Sequence, residues 1–142
     1  MIGYVASSHN QFDGLHKYEG DTPLENGAFV EIDTKAGTAK VCADAPTTTA
    51  YFVAQEDTRQ VDNFPDSTDY KIEKGKLLKL MAPQRGLHIV TDQADALELN
   101  DQAHPSKGKL VKGAGTAPGN TYVVREIKYI GDKTAYRCEC VQ

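Results

Sequence analysis

The chain has 142 residues and 15.5 kDa, the size of one domain, and its 39% hydrophobic and 25% charged residues are the usage of a globular protein with a core rather than of a disordered one. Lys and Arg number 16 against 20 Asp and Glu, a net charge of −4 with no basic run, so nucleic acid is not an expected partner. No stretch approaches the ~20 apolar residues that cross a bilayer, and residues 1–10 show neither the cationic nor the apolar region of a signal peptide; the expectation is synthesis in a cytoplasm, no membrane partner and reduced thiols.

Residues 1–26 are polar and turn-rich, yet Tyr4, Phe12, Leu15 and Tyr18 recur as spaced apolar anchors. Two readings stand for this segment. It is an arm that orders on a partner surface through those four residues, or it is a tail or first strand of the domain itself. The arm reading puts the domain boundary at 26, with a β-rich domain over 27–142.

From Gly27 the chain reads as short strands cut by Gly, Pro, Asn and Asp. Ala28, Val30 and Ile32 share one face of a strand with Glu31 on the other; Ala39, Val41 and Ala43 repeat the pattern against Lys40. Residues 49–54 are β-branched and aromatic without alternation, as expected of a strand covered on both faces. A loop with Asp62, Asn63, Asp66 and Asp69 follows, too irregular for a calcium loop. Tyr70 and Ile72 resume alternation, and Leu77, Leu78, Leu80 and Met81 form a dense apolar segment. Leu87, Ile89 and Thr91 share the face of another strand. Residues 92–99 have the one credible helix start, with Asp92 as cap, although Leu97 and Leu99 suit a strand equally well.

The C-terminal pattern is the most specific. Residues 122–130 and 133–141 flank Gly131-Asp132, a two-residue loop with Gly first that suits a type II′ hairpin. Pairing Ile130 with Lys133 then sets Glu126 opposite Arg137, a charge match that played no part in choosing the register. The other face collects Val123, Ile127, Tyr129, Tyr136, Cys138 and Cys140, and is expected to be core. Many short strands, at most one short helix and no long repeat argue for an all-β barrel or sandwich, with a compact β-barrel-like domain and an extended N-terminal arm as the expectation.

Candidate chemistry is sparse. Cys138 and Cys140 point to one side of a strand, and Cys42 is a conceivable third ligand, but the four-ligand zinc spacing is missing, so the three read as small buried hydrophobes and no metal or cofactor is expected. His9, His16, His88 and His104 form no metal motif. Residues 112–120 are Gly-rich but lack the Gly-Lys-Ser/Thr ending and lead into a strand, which makes them a flexible connection rather than a phosphate loop. No Gly-x-Ser-x-Gly elbow is present, and Ser106 near His104 in sequence does not make a triad. The chain is read as no enzyme.

One resemblance adds to this. Gly20-Asp21-Thr22-Pro23-Leu24, residues 27–32, Lys40-Val41-Cys42, residues 47–55, Ile72-Glu73-Lys74-Gly75, residues 97–101, Gly108-Lys109-Leu110-Val111 and Val124-Arg125-Glu126-Ile127, in that order, resemble the head decoration (capsid cement) proteins of tailed bacteriophages. The match runs over roughly residues 21–141 and rests on the order of short motifs; the Cys-x-Cys ending and the polar arm lie outside it. The resemblance implies a small β-tulip-like or β-barrel-like protein, a non-enzymatic structural protein of the virion seated on the outer surface of the capsid. Such a protein bridges subunits of the major capsid protein and stabilises the head, often self-associating as a trimer whose N-terminal arms reach neighbouring subunits. The alternative is a β-barrel ligand- or carbohydrate-binding module of another virion part such as the tail, for which clustered exposed aromatics would be the mark. A third class, a small metal-dependent enzyme built on Cys42, Cys138 and Cys140, would be decided by elemental analysis.

Overall fold

The computed structural model describes residues 4–5, 12–13, 16–54 and 71–142, and every regular element among them is a strand. In chain order these are β1 (Tyr4–Val5), β2 (Phe12–Asp13), β3 (Lys17–Tyr18), β4 (Leu24–Glu25), β5 (Phe29–Asp33), β6 (Thr38–Val41), β7 (Tyr51–Val53), β8 (Lys71–Ile72), β9 (Leu80–Met81), β10 (His88–Thr91), β11 (Gln102–Ser106), β12 (Lys109–Lys112), β13 (Tyr122–Ile130) and β14 (Lys133–Cys140). The all-β expectation holds. One six-stranded sheet runs β1-β10-β14-β13-β11-β12, a second runs β2-β9-β7-β5-β6-β3, and β4 pairs with β8 alone. The first sheet curls into a half-barrel, because Leu110 of β12 bridges to Ala94, just beyond the end of β10. Sheet two curls likewise: β3 pairs parallel to β6, and Lys17 bridges to Leu77 ahead of β9.

The second sheet is covered on both faces, and the unalternating stretch at 49–54 is the reason. From β7, Ala50, Phe52 and Ala54 enter one core while Val53 enters the other. The first core lies between the two sheets, where Phe29 packs at a tilt against Phe52 and edge to face with Tyr122, centroids 5.5 and 5.7 Å apart. Each ring buried there contributes on the order of 1.5–3 kcal/mol. In the second core, Tyr18, Val30, Ala39, Val53 and Leu80 from the sheet meet Leu24, Ile72 and Leu78. Residues 16–26 therefore belong to the packed domain, which corrects the boundary at 26.

The closing hairpin has the expected register, Ile130 with Lys133 and Glu126 with Arg137. Gly131 has φ 64° while Asp132 stays at negative φ, as a type II′ loop requires. One residue breaks the expected face. Arg125 is extra between the pairs Val124–Cys138 and Glu126–Arg137, a bulge that shifts the alternation below it. Tyr122 and Val124 are fully buried as a result, Val123 is only half-buried, and Tyr129 lies beyond the core at 79% exposure.

Three further expectations are corrected. Residues 92–99 are not helical, because their backbone is taken by a distant strand: Leu110 N donates to Gln93 O and Asp95 N to Leu110 O, both at 2.9 Å. Past Ala39 the pattern on β6 inverts, so that Val41 and Ala43 face solvent and Cys42 is buried, its backbone N–H bonded to Phe29 O. Finally, the Gly-rich 112–120 connection is pinned. Asn120, buried, accepts from Ala50 N at 2.8 Å and donates to Thr48 O at 3.0 Å, while Thr49 Oγ1 donates to Pro118 O. The acidic 62–69 loop and Tyr70 lie outside the described residues.

Candidate interaction surface

The four expected contact residues fall in three places. Tyr4 lies on β1, which pairs with β10 at the rim of the first sheet, Tyr4 opposite Val90. Phe12 lies on β2, which pairs with β9 at the rim of the second, Phe12 opposite Met81. Leu15 is outside the described residues. Tyr18 is not a surface residue, which corrects its assignment: it is 1% exposed, sits in the second core, and donates its hydroxyl to Thr22 O at 2.5 Å. Burial and the charge of Asp21 push its phenol above the ordinary value, so it stays protonated. Gly20 makes room for it, since a Cβ there would fall 2.1 Å from the Tyr18 oxygen.

A second surface lies on the hairpin. Its solvent face carries a ladder of alternating charge: Arg125 Nε is 2.9 Å from Glu139 Oε1, Arg137 Nε 3.3 Å and Lys128 Nζ 3.9 Å from Glu126 Oε1, and His88 Nε2 4.0 Å from Glu139 Oε1. Three cations, Arg125, Arg137 and Lys128, stand against the carboxylates of Glu126 and Glu139, a net +1 with every cation close to a carboxylate, so this face is no strong attractor of a polyanion. At the hairpin end Tyr129 projects into solvent, a position that alternation alone assigns to the core; the signal that could have found it is the length of the two hairpin strands, which outrun the neighbouring β10 and β11.

Between β4, β8 and the turn end of the hairpin runs a polar clasp. Gln93 Nε2 donates to Glu25 Oε2 at 2.6 Å and to Asp92 Oδ1 at 3.0 Å; Lys71 pairs with Glu25, and Lys133 Nζ lies 3.5 Å from Asp92 Oδ2. Burial pushes the Glu25 carboxyl up, but the bonds from Lys71 and Gln93 and the charges of Lys71 and Lys133 outweigh it, leaving Glu25 below the ordinary glutamate value. Each carboxylate here already has a cationic partner.

The remaining reactive groups are spoken for by packing. Cys42, Cys138 and Cys140 are all free and buried in the first core. Gly108 N donates to Cys42 Sγ at 3.2 Å, and burial pushes the Cys138 thiol up to about 12. No group of three or more His, Cys, Asp or Glu among the described residues is arranged to hold a metal. Ser106 gives its hydroxyl to Asp44, while His104 Nδ1 faces Gly113 O at 3.0 Å, so the Ser106 hydroxyl is bonded to a carboxylate and not to an imidazole. A scan against protein-family models finds no match to the chain, and neither does a search of the curated proteins.

Proposed function

We propose that this chain is a head decoration (capsid cement) protein of a tailed bacteriophage, a structural protein without enzymatic activity that binds the outer surface of the head and bridges subunits of the major capsid protein. The observation that carries the reading is the seating of the N-terminal segment. Among the described residues the N-terminal segment joins the sheets as two-residue strands at the rims, 4–5 and 12–13, whereas Tyr18 and Leu24 are packed into a core. So short a ladder adds little stability, and a rim strand of this kind transfers to a partner's sheet edge at low cost. The ordered series of short motifs supports the same family. Many copies on a lattice of fixed geometry make a weak contact per copy sufficient.

Co-sedimentation of the purified protein with empty, expanded phage heads that lack it tests the reading. Saturable binding at a fixed stoichiometry, weakened when residues 1–13 are removed, is the expected result. Absence of binding would refute it and direct a glycan screen toward the binding-module alternative. Binding unchanged by the truncation would leave the head as partner and take the rim strands out of the contact.

A further inference from the structure

Among the described residues, the hairpin carries a strand edge without a neighbour. With a two-residue loop, Ile130 and Lys133 form the last hydrogen-bonded pair, so the alternation turns the backbone groups of Glu126 and Lys128 inward to β14 and those of Ile127 and Tyr129 outward. Below the bulge the outward position is Val124, and it is satisfied: its N–H donates to Asp101 O at 3.0 Å and its C=O accepts from Asn100 N at 2.8 Å. Above the bulge it is not. The β11 ladder reaches β13 only at Tyr122 and Val123, and among the described residues no backbone bond from any element other than β14 arrives at 126–130.

We propose that a second copy of this chain adds to this edge, β13 against β13, antiparallel about a two-fold axis at Ile127. The charges choose both the occupant and the register. With Ile127 opposite itself, Glu126 of each copy faces Lys128 of the other, two opposite-charge pairs on the solvent face, and the outward N–H and C=O of the two Ile127 residues bond each other. A centre at Lys128 would also engage the outward backbone, Ile127 of each copy against Tyr129 of the other, but it would set lysine against lysine on the axis and Glu126 opposite Ile130, with no opposite-charge pair. A centre at Tyr129 would run the ladder into the Gly131 turn. Glu126 and Lys128 keep 50% and 34% of their side chains exposed, so both can reach across. The Arg125 bulge closes the edge at one end and the turn closes it at the other, so one strand fills it and the product is a closed dimer, not a fibre. The contact is small and falls in the weak class, with Kd on the order of 10–100 μM.

Analytical ultracentrifugation of the full chain up to about 0.5 mM, well above that range, tests this without reference to phage heads, so its failure and that of the cement reading are separable. A reversible species of twice 15.5 kDa is expected. Glu126→Lys and Lys128→Glu, each folded by circular dichroism, are each expected to raise Kd at least ~10-fold, because each places like charges face to face. Their equimolar mixture should form heterodimers, since the register then sets the introduced lysine of one copy against the introduced glutamate of the other. A chain monomeric throughout, a trimer, or a dimer indifferent to these changes would overturn the proposal.

Discussion

Glu126 and Arg137 face each other across the β13–β14 hairpin, Oε1 to Nε 3.3 Å, immediately above the point where Arg125 bulges out of the ladder. The match and the bulge have different energetic weight. The ion pair is exposed and contributes about 0–1 kcal/mol, whereas the bulge decides that Tyr122 and Val124, both fully buried, share the core face with Ile127. Deleting Arg125 leaves Val124 beside Glu126 with every other pair in place and the same side chains inward. The deletion variant is therefore expected to stay folded within ~1 kcal/mol of the parent, measured by urea denaturation. Deleting Val123 would instead turn Tyr122 to solvent and is expected to cost more than ~3 kcal/mol.

Tyr18 offers a test of where the packed domain begins. Its ring lies among Leu24, Ile72 and Leu78 in the second core, so Tyr18→Ala should destabilise the isolated chain by ~3–5 kcal/mol. An arm residue waiting for a partner would leave thermal stability unchanged. Calorimetry of the protein alone separates the two, and an unshifted transition would return Tyr18 to the arm.

The contrast between Tyr18 and the hairpin shows which parts of the fold were legible in the residues. Local rules carry their own evidence: Gly131-Asp132 sets a type II′ loop and hence the Ile130–Lys133 register, and unbroken apolar character at 49–54 marks a strand buried on both faces. What failed depended on distant partners. The 92–99 segment has a sound helix cap, but its donors and acceptors go to Leu110. An aromatic at the spacing of Tyr18 looks the same in an arm and in a core. Of the candidate contacts, Tyr4 and Phe12 do fall at sheet rims. The open edge of β13 was not readable, because it is defined by where β11 stops pairing, a property of another strand.

Lys107 sits in the left-handed region, φ 51°, ahead of Gly108 at φ 85°, in the two-residue loop joining β11 to β12. Both positive angles mark a type I′ turn, which prefers Asn-Gly. Lys107→Asn should stabilise the chain by ~0.5–1 kcal/mol, seen as a higher urea midpoint at unchanged slope. The backbone bond from Lys107 N to Ala43 O, 3.1 Å, is untouched by the exchange. A lower midpoint would show that the lysine side chain contributes more than its backbone conformation costs.

The polar clasp predicts an acid limb to stability. Because the folded-state pKa of Glu25 is held below its unfolded value, its contribution is fully present above the ordinary glutamate range, near 4.5, and is lost as pH falls through the folded value. Glu25→Gln should lower stability at pH 7 and make progressively less difference down to a second pH below the folded-state value, where the parent's carboxyl is protonated as well. Parallel urea titrations at the two pH values measure this, and a deficit independent of pH would assign the effect to lost hydrogen bonds with Gln93 rather than to the charge.

The three buried thiols predict an alkaline limb of opposite sign. Burial raises Cys138 to about 12 and lifts Cys42 and Cys140 above the ordinary value of 9.0, so the folded chain keeps all three neutral where the unfolded chain begins to ionise. Their contribution is whole below pH 9 and is lost as pH rises through the folded values. The same burial suppresses chemistry at neutral pH: a thiolate is the nucleophile, and a thiol near 12 is ionised at pH 8 to only about one part in ten thousand. A disulfide-exchange reagent at pH 8 should therefore label the native protein at the rate of its unfolding, and all 3 cysteines at once after denaturation. Rapid labelling of the native chain, at a rate first order in reagent, would mean that at least one thiol is open to solvent.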